Sequence, residues 1–310
     1  MLKRVMIILS WCLSAISANA QYDPVFSHYW AMESSFNPAS VGKESKLNVV
    51  GGYALSMVGY ERNPKTMYIG ADMPFYFARS YHGVGLSILN DDIGLFTHQR
   101  LSAQYAYRFK FLRGRLAVGL QGGVLMEKFD GSKVDLDEDD PLFTKTDISG
   151  NKFDLGLGLY YTRGRWYVGV SGQHLTSPKV SLGETNELNI DATYYFTAGY
   201  NIKLRNPFLT IPTSTIVRYD GHDYRADIGA RLVYTHEKRM LYGGLSYSPE
   251  HSVTATIGGN LHGINVGYSY EMYTSGMKPG NGSHELFVSY QTDINLQKKG
   301  RNKHKSVRYL

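Results

Sequence analysis

The sequence predicts an all-β fold: a transmembrane antiparallel β-barrel of about 14 strands, with an N-terminal segment plugging its lumen. Three observations predict it. Between residues 47 and 294, short segments alternate apolar with small or polar residues, are rich in Gly and Tyr, and are separated by polar turns. A secretory leader precedes them. After the leader, no stretch reaches the roughly 18 consecutive apolar residues of a spanning helix.

Residues 1–20 read as a signal peptide. Lys3 and Arg4 form its charged start, residues 5–16 are mostly apolar, and Ala18-Asn19-Ala20 supplies a small-residue cleavage site before Gln21. Cys12 is the one cysteine of the chain and lies in this leader, preceded by Trp11 where a lipoprotein signal wants a small residue. The mature chain is therefore expected to be exported without any disulfide.

Residues 21–46 do not alternate, yet they hold Tyr22, Phe26, Tyr29, Trp30 and Phe36. An exposed linker is poorer in aromatics. The segment is expected to fold back and plug or line the lumen through Asp23, Pro24, Phe26, Asn37, Pro38 and Ala39; the alternative is a periplasmic strap.

The barrel is expected over 47–297. Its strands read 47–60, 64–76, 82–90, 97–110, 115–128, 151–161, 165–175, 189–203, 209–220, 223–236, 239–249, 251–260, 262–274 and 283–295. In the fifth, Leu116, Val118, Leu120, Gly122, Val124 and Met126 oppose Ala117, Gly119, Gln121, Gly123 and Leu125. In the sixth, Phe153, Leu155, Leu157, Leu159 and Tyr161 oppose Asp154, Gly156, Gly158 and Tyr160. The Gly-lined face suits a crowded, polar interior. Tyr53, Tyr60, Tyr76, Tyr107, Tyr160, Tyr161, Tyr200, Tyr219, Tyr234 and Tyr290 fall near strand ends and are expected to form two aromatic girdles.

An even strand count puts both termini on one side, the periplasm, in a barrel of the outer membrane. Periplasmic turns then fall near 78–81, 111–114, 162–164, 204–208, 237–238 and 261, and the longer loops 129–150 and 176–188 face outward. Several inward turns are basic: Arg113 and Arg115, Arg163 and Arg165, Lys203 and Arg205, Lys238 and Arg239. With Lys298, Lys299, Arg301, Lys303, Lys305 and Arg308 of a basic periplasmic tail, 298–310, they are the candidate partner-binding residues.

The net charge of +6 is a property of that tail. Two of the 33 bases leave with the leader and six lie beyond residue 297, so 25 face the 27 acids in the body. A basic body built for nucleic acid is excluded. No catalytic residue is assigned. Ser283 and His284 are adjacent on one strand, so they point to opposite faces and do not pair as nucleophile and base. His236-Glu237 lacks a second His four residues on, so no zinc motif forms. The acidic run Asp135, Asp137, Glu138, Asp139, Asp140 is the best candidate for gathering Ca²⁺, but it lacks the Gly and closing Glu of an EF-hand and reads first as a solvated loop, with divalent-ion binding the alternative. No cofactor or metal is expected.

Several motifs, in order, carry a resemblance. Gln21-Tyr22-Asp23-Pro24-Val25-Phe26-Ser27-His28-Tyr29 with Phe36-Asn37-Pro38-Ala39 and Gly42, then Gly83-Val84-Gly85 and Asp91-Asp92-Ile93-Gly94, come first. Residues 167–175, Gly267-Tyr268-Ser269-Tyr270-Glu271 and Gly282-Ser283-His284-Glu285-Leu286 follow. Together they resemble the PorP/SprF proteins of type IX secretion across essentially the whole mature chain. Glu271 stands where Asp is commoner, and the tail is longer than the family pattern. The resemblance implies a non-enzymatic outer-membrane barrel that works with the periplasmic ring lipoprotein and its partners, or helps deliver secreted substrates or gliding adhesins. The competing expectation is a FadL-like uptake barrel for hydrophobic small molecules, also fourteen-stranded, whose hatch carries an Asn-Pro-Ala similar to Asn37-Pro38-Ala39. An open porin is a third.

Overall fold

The computed structural model describes residues 22–131, 147–182, 186–237, 239–275 and 281–294. The predicted acidic run at 135–140, Lys238 and the tail lie outside them. Two 3-10 turns, Glu33–Ser35 and Pro38–Ser40, precede the strands. The strands are β1 (Lys46–Leu55), β2 (Lys65–Phe77), β3 (Ser80–Ile93), β4 (Phe96–Phe111), β5 (Gly114–Phe129), β6 (Ile148–Arg163), β7 (Trp166–Gln173), β8 (Lys179–Leu182), β9 (Asn186–Asn189), β10 (Thr193–Lys203), β11 (Leu209–Tyr219), β12 (Tyr224–His236), β13 (Arg239–Ser248), β14 (Ser252–Leu261), β15 (Ile264–Tyr273) and β16 (Ser283–Asp293).

All but β8 and β9 form one closed antiparallel ring of 14 strands, in which β16 returns to β1 with Lys46 opposite Asp293 and Leu55 opposite His284. Closure leaves no free sheet edge, so every ring strand has a neighbour on both sides. Each expected barrel strand is present, with shifted ends. β3 to β6 run longer, up to 16 residues. β10 begins at Thr193 rather than 189, because 186–189 pair with 179–182 in a separate hairpin. That hairpin turns inward: Val180 and Ile190 are buried with Leu125 of β5.

Period-two burial follows the sequence alternation. On β5, Val118, Leu120 and Val124 are exposed, while Ala117, Gln121 and Leu125 are buried. Exposed aromatics gather toward both strand ends. Tyr224 and Tyr234 on β12 are both exposed and ten residues apart. That is about 33 Å of strand, or about 25 Å of height at a tilt near 40°, which matches an apolar band between two girdles. Tyr160 corrects the girdle expectation: it is buried, because its strand parity turns it inward, and its hydroxyl donates to Glu33 at 3.2 Å.

The turns between β2 and β3, β4 and β5, β6 and β7, β10 and β11, β12 and β13, and β14 and β15 lie on the same rim as the start of β1 and the end of β16. Three of them are two-residue turns with both central residues at positive φ: Ala78 and Arg79 at 46° and 65°, Leu112 and Arg113 at 44° and 64°, His262 and Gly263 at 52° and 87°. This is the twist that tight hairpins favour, reached in the first two without glycine.

Residues 22–42 pack against the buried faces of the strands. Two inward glycines permit this approach. A Cβ on Gly119 of β5 would lie 2.2 Å from the Ala39 nitrogen, and one on Gly83 of β3 would lie 2.1 Å from the Val41 carbonyl oxygen. We expect Gly119→Ala to displace the segment and cost about 1–3 kcal/mol. Gly122→Ala, whose Cβ meets only the Phe153 ring at 3.7 Å, is the control. The check is the temperature at which the detergent-folded barrel loses its compact gel mobility, which should fall for Gly119→Ala alone.

Candidate functional site

Two regions gather the functional side chains: the contact between residues 22–42 and the ring, and the rim that carries the short turns.

Alternation on a wall with an apolar outside forces polar inward residues to find partners inside. Across β4, β5 and β7, Gln104 donates to Gln121 at 2.6 Å and Gln121 donates to Gln173 at 2.6 Å. The ends of this chain then donate to backbone oxygens of the N-terminal segment: Gln104 to Ser34 at 2.6 Å, Gln173 to Phe36 at 2.8 Å. Arg100 donates to Ser35 O at 2.8 Å and Arg108 to Ala39 O at 2.9 Å. The segment's carbonyls are thus met by side chains of the wall rather than by a strand partner.

Asp23 makes more bonds to the ring and its connections than any other residue of the segment. Its carboxylate accepts from Tyr195 of β10 at 2.6 Å, meets Nε2 of His174 at 3.1 Å, and lies 3.5 Å from the Arg100 guanidinium. Its backbone oxygen accepts from Arg218 of β11. His174, fully buried just past β7, has Asp154 of β6 on its other side, with Nδ1 and Oδ2 3.1 Å apart. That second contact is charge to charge, without hydrogen-bond alignment. Burial alone would raise the Asp23 pKa, but His174, Arg100 and Tyr195 outweigh it and hold the carboxyl well below its usual range. Burial alone would lower the His174 pKa; Asp23 and Asp154 outweigh it and push it from 6.5 up to about 9.

Other attachments ring this one. Tyr22 donates to Glu127, which also pairs with His98. His28 Nδ1 meets Glu285 of β16 at 2.6 Å, and Glu285 also accepts from the Ser27 and His28 backbone. Tyr29 meets Ser214 of β11 at 2.9 Å, and Asn37 donates to Leu159 O of β6 at 3.2 Å. Phe26 packs with Met32, Tyr68 and Phe287, and Ala39 with Ala117 and Tyr160. Of the six residues singled out in the segment, Asp23, Phe26, Asn37, Pro38 and Ala39 meet the wall, and Pro24 is half-buried. Glu271, the departure from the family pattern, accepts from Arg225 at 2.7 Å and Ser252 at 2.5 Å.

Sequence reasoning missed Arg100, Arg218, His174 and Glu127. The available signal was parity: each belongs to, or adjoins, a strand whose alternation turns it inward. Ser283 and His284 do face opposite ways: Ser283 is buried with its hydroxyl 2.7 Å from Tyr273, and His284 sits outside, 2.6 Å from Tyr268.

The described residues of the basic set, Arg113, Arg115, Arg163, Arg165, Lys203, Arg205 and Arg239, are all exposed on the short-turn rim, and Arg79, which sequence reasoning passed over, joins them. None has an ion-pair partner among the described residues. Lys238, Lys298, Lys299, Arg301, Lys303, Lys305 and Arg308 fall outside these. On the same rim, between the segment and β1, β2, β13, β15 and β16, lies a cavity of about 310 Å³. A smaller one of about 40 Å³ lies on the far side of the segment, beside Asp23 and Arg225.

Asp23→Ala should cost about 3–5 kcal/mol, because it leaves His174, Arg100 and Tyr195 buried without their acceptor. The His174 contribution has the opposite pH sense to a carboxylate. Its folded pKa is raised, so it stabilises fully below about 6.5 and is lost as pH rises through about 9. Hydrogen exchange of the 22–42 amides, corrected for the intrinsic rate, should therefore speed up between pH 7 and 10. Asp154→Asn should move that transition to lower pH; an unchanged midpoint would remove the pairing.

Comparison with solved structures shows the fold. The CymD monoaromatic hydrocarbon channel matches with a TM-score of 0.51 at 8% identity, covering 86% of this chain and 94% of that one. A Pseudomonas aeruginosa FadL homologue matches with a TM-score of 0.49 at 10% identity, covering 84% and 93%. No curated protein matches the chain. Residues 18–290 match the family described as type IX secretion system membrane protein PorP/SprF. The chain, an outer-membrane β-barrel of type IX secretion, belongs to the PorP/SprF family.

Proposed function

We propose that this barrel is a non-enzymatic component of type IX secretion that anchors or couples periplasmic ring proteins or secreted substrates through its short-turn rim. That rim faces the periplasm with both termini, and residues 21–46 plug the lumen. One observation carries the proposal: Arg79, Arg113, Arg115, Arg163, Arg165, Lys203, Arg205 and Arg239 stand exposed on one rim without ion-pair partners among the described residues. A crown in which these unpaired bases outweigh the turn acid Glu237 steers an acidic partner and fixes its orientation. Arg79 and Arg113 stand at positive φ, where glycine fits more easily, which suits side chains kept for contact.

The interior supports the secretion reading over uptake of hydrophobic molecules. The wall meets residues 22–42 through Gln104, Gln173, Arg100 and Arg218, a polar lining unsuited to a greasy passage.

Crosslinking in cells followed by mass spectrometry tests the proposal: ring lipoproteins should be recovered on the short-turn rim. Arg113→Gly should leave the barrel as stable or slightly more so while weakening partner recovery, and removal of 298–310 should weaken it further with insertion unchanged. Recovery unaffected by either change would remove the rim as the docking face. In planar bilayers the native chain should show no steady open pore, whereas a variant lacking 21–45 should conduct.

A further inference from the structure

The 310 Å³ cavity on the short-turn rim has a sign. Glu33, Glu44 and Asp72 line it against the single base Lys43. Lys43 is committed to Glu33 at 2.6 Å. Asp72 accepts from Gly42 N at 2.8 Å and Asn48 at 2.9 Å, and Lys43 and Arg108 act on its charge only through space, without a direct ion pair. Glu44 likewise has no hydrogen bond or ion pair among the described residues and feels Lys43 only through space. Asn48, Gln291 and Ser289 add acceptors, and Trp30, Tyr242 and Phe287 add apolar wall. The volume would hold about ten waters, or the heads and stems of long side chains.

The end of β16 adjoins this cavity. Asp293 pairs with Lys46, and Ile294 N donates to Ser45 O at 3.4 Å, one residue from Glu44. The chain that leaves there carries Lys298, Lys299, Arg301, Lys303, Lys305 and Arg308 with no acid. Lys298 is four residues beyond Ile294, a reach of about 14 Å. We propose that the cavity is a binding site for basic side chains and that its occupant is this chain's own segment 298–310. Lysine or arginine heads meet Glu44 and Asp72, and their methylene stems lie along Trp30 and Phe287. Tethering favours this occupant over another basic peptide, since a short linker holds it at an effective concentration of order millimolar. The inference does not rest on the secretion reading: the pairing of segment and cavity stands whether or not ring proteins dock on this rim.

The test uses the full mature chain folded in detergent. Trypsin should cut within 298–308 slowly in the native protein, and about five- to tenfold faster in Glu44→Gln/Asp72→Asn. Glu44 is exposed and Asp72→Asn keeps an acceptor for Gly42, so the variant retains the fold. Raising salt to about 0.5 M should release the native segment to the same rate. Equal cleavage of native and variant chains overturns the proposal. A second measurement adds a synthetic 298–310 peptide to a chain ending at 297, whose ring already closes at Asp293. Trp30 fluorescence in a Trp166→Phe background should report saturable binding, weakened in the acid-neutralised variant. Binding of the peptide with no protection of the tethered segment would assign the cavity to some other basic chain, and overturns the segment as its occupant.

Discussion

A closed ring with an apolar outside must satisfy its inward polar groups from within, and the rest of this structure depends on that constraint. The groups on β4, β5, β6, β7, β10 and β11 cannot all serve one another. They meet residues 22–42, and the charges converge on Asp23. Its neighbours come from the adjoining β11, β10 and the end of β7, and from β4 three strands further round the ring, so one residue ties together Arg100, His174, Tyr195 and Arg218. Such a network is worth most when complete, because a buried charge stripped of a partner costs more than the pair contributes.

Much of the ring was legible in the sequence. Alternation placed all its strands, and parity sorted the turns into two rims, because a two-residue period and an even count leave little freedom. The strand ends were less legible: β3 and β6 continue past their expected ends on polar residues such as Asp91, Asp92, Ser149 and Thr162, which carry no membrane signal. The hairpin β8–β9 hid inside an expected loop and strand, since Val180 and Leu188 are too few to show a period. Of the interior, the segment's role as a contact surface followed from its aromatics, but its partners did not. Arg100 and His174 look like surface residues until the register sets them opposite Asp23.

The two rims differ in chemistry more than in shape. The short-turn rim carries unpaired bases at its crest and an acidic hollow just inside it, and the two meet along β2, where Asp72 precedes Arg79, and on β13, where Arg239 precedes the lining residue Met240. Opposite signs this close give the rim an internal competitor for any charged ligand that approaches. A partner reading the arginines would have to be acidic, and one entering the hollow basic, so the rim discriminates by sign and by depth.

The unequal strand lengths have a consequence beyond the lipid. β4, β5 and β6 each have 16 residues, whereas β13, β14 and β15 have ten. Ten residues at a tilt near 40° span about 25 Å, the height of the apolar band, so β13–β15 already cross the lipid core and the additional residues of β4–β6 stand clear of it. The lipid therefore meets a wall of even height, whereas the water beyond it meets a barrel taller on one flank. A protein neighbour that reaches past the headgroups finds a preferred side on this round barrel.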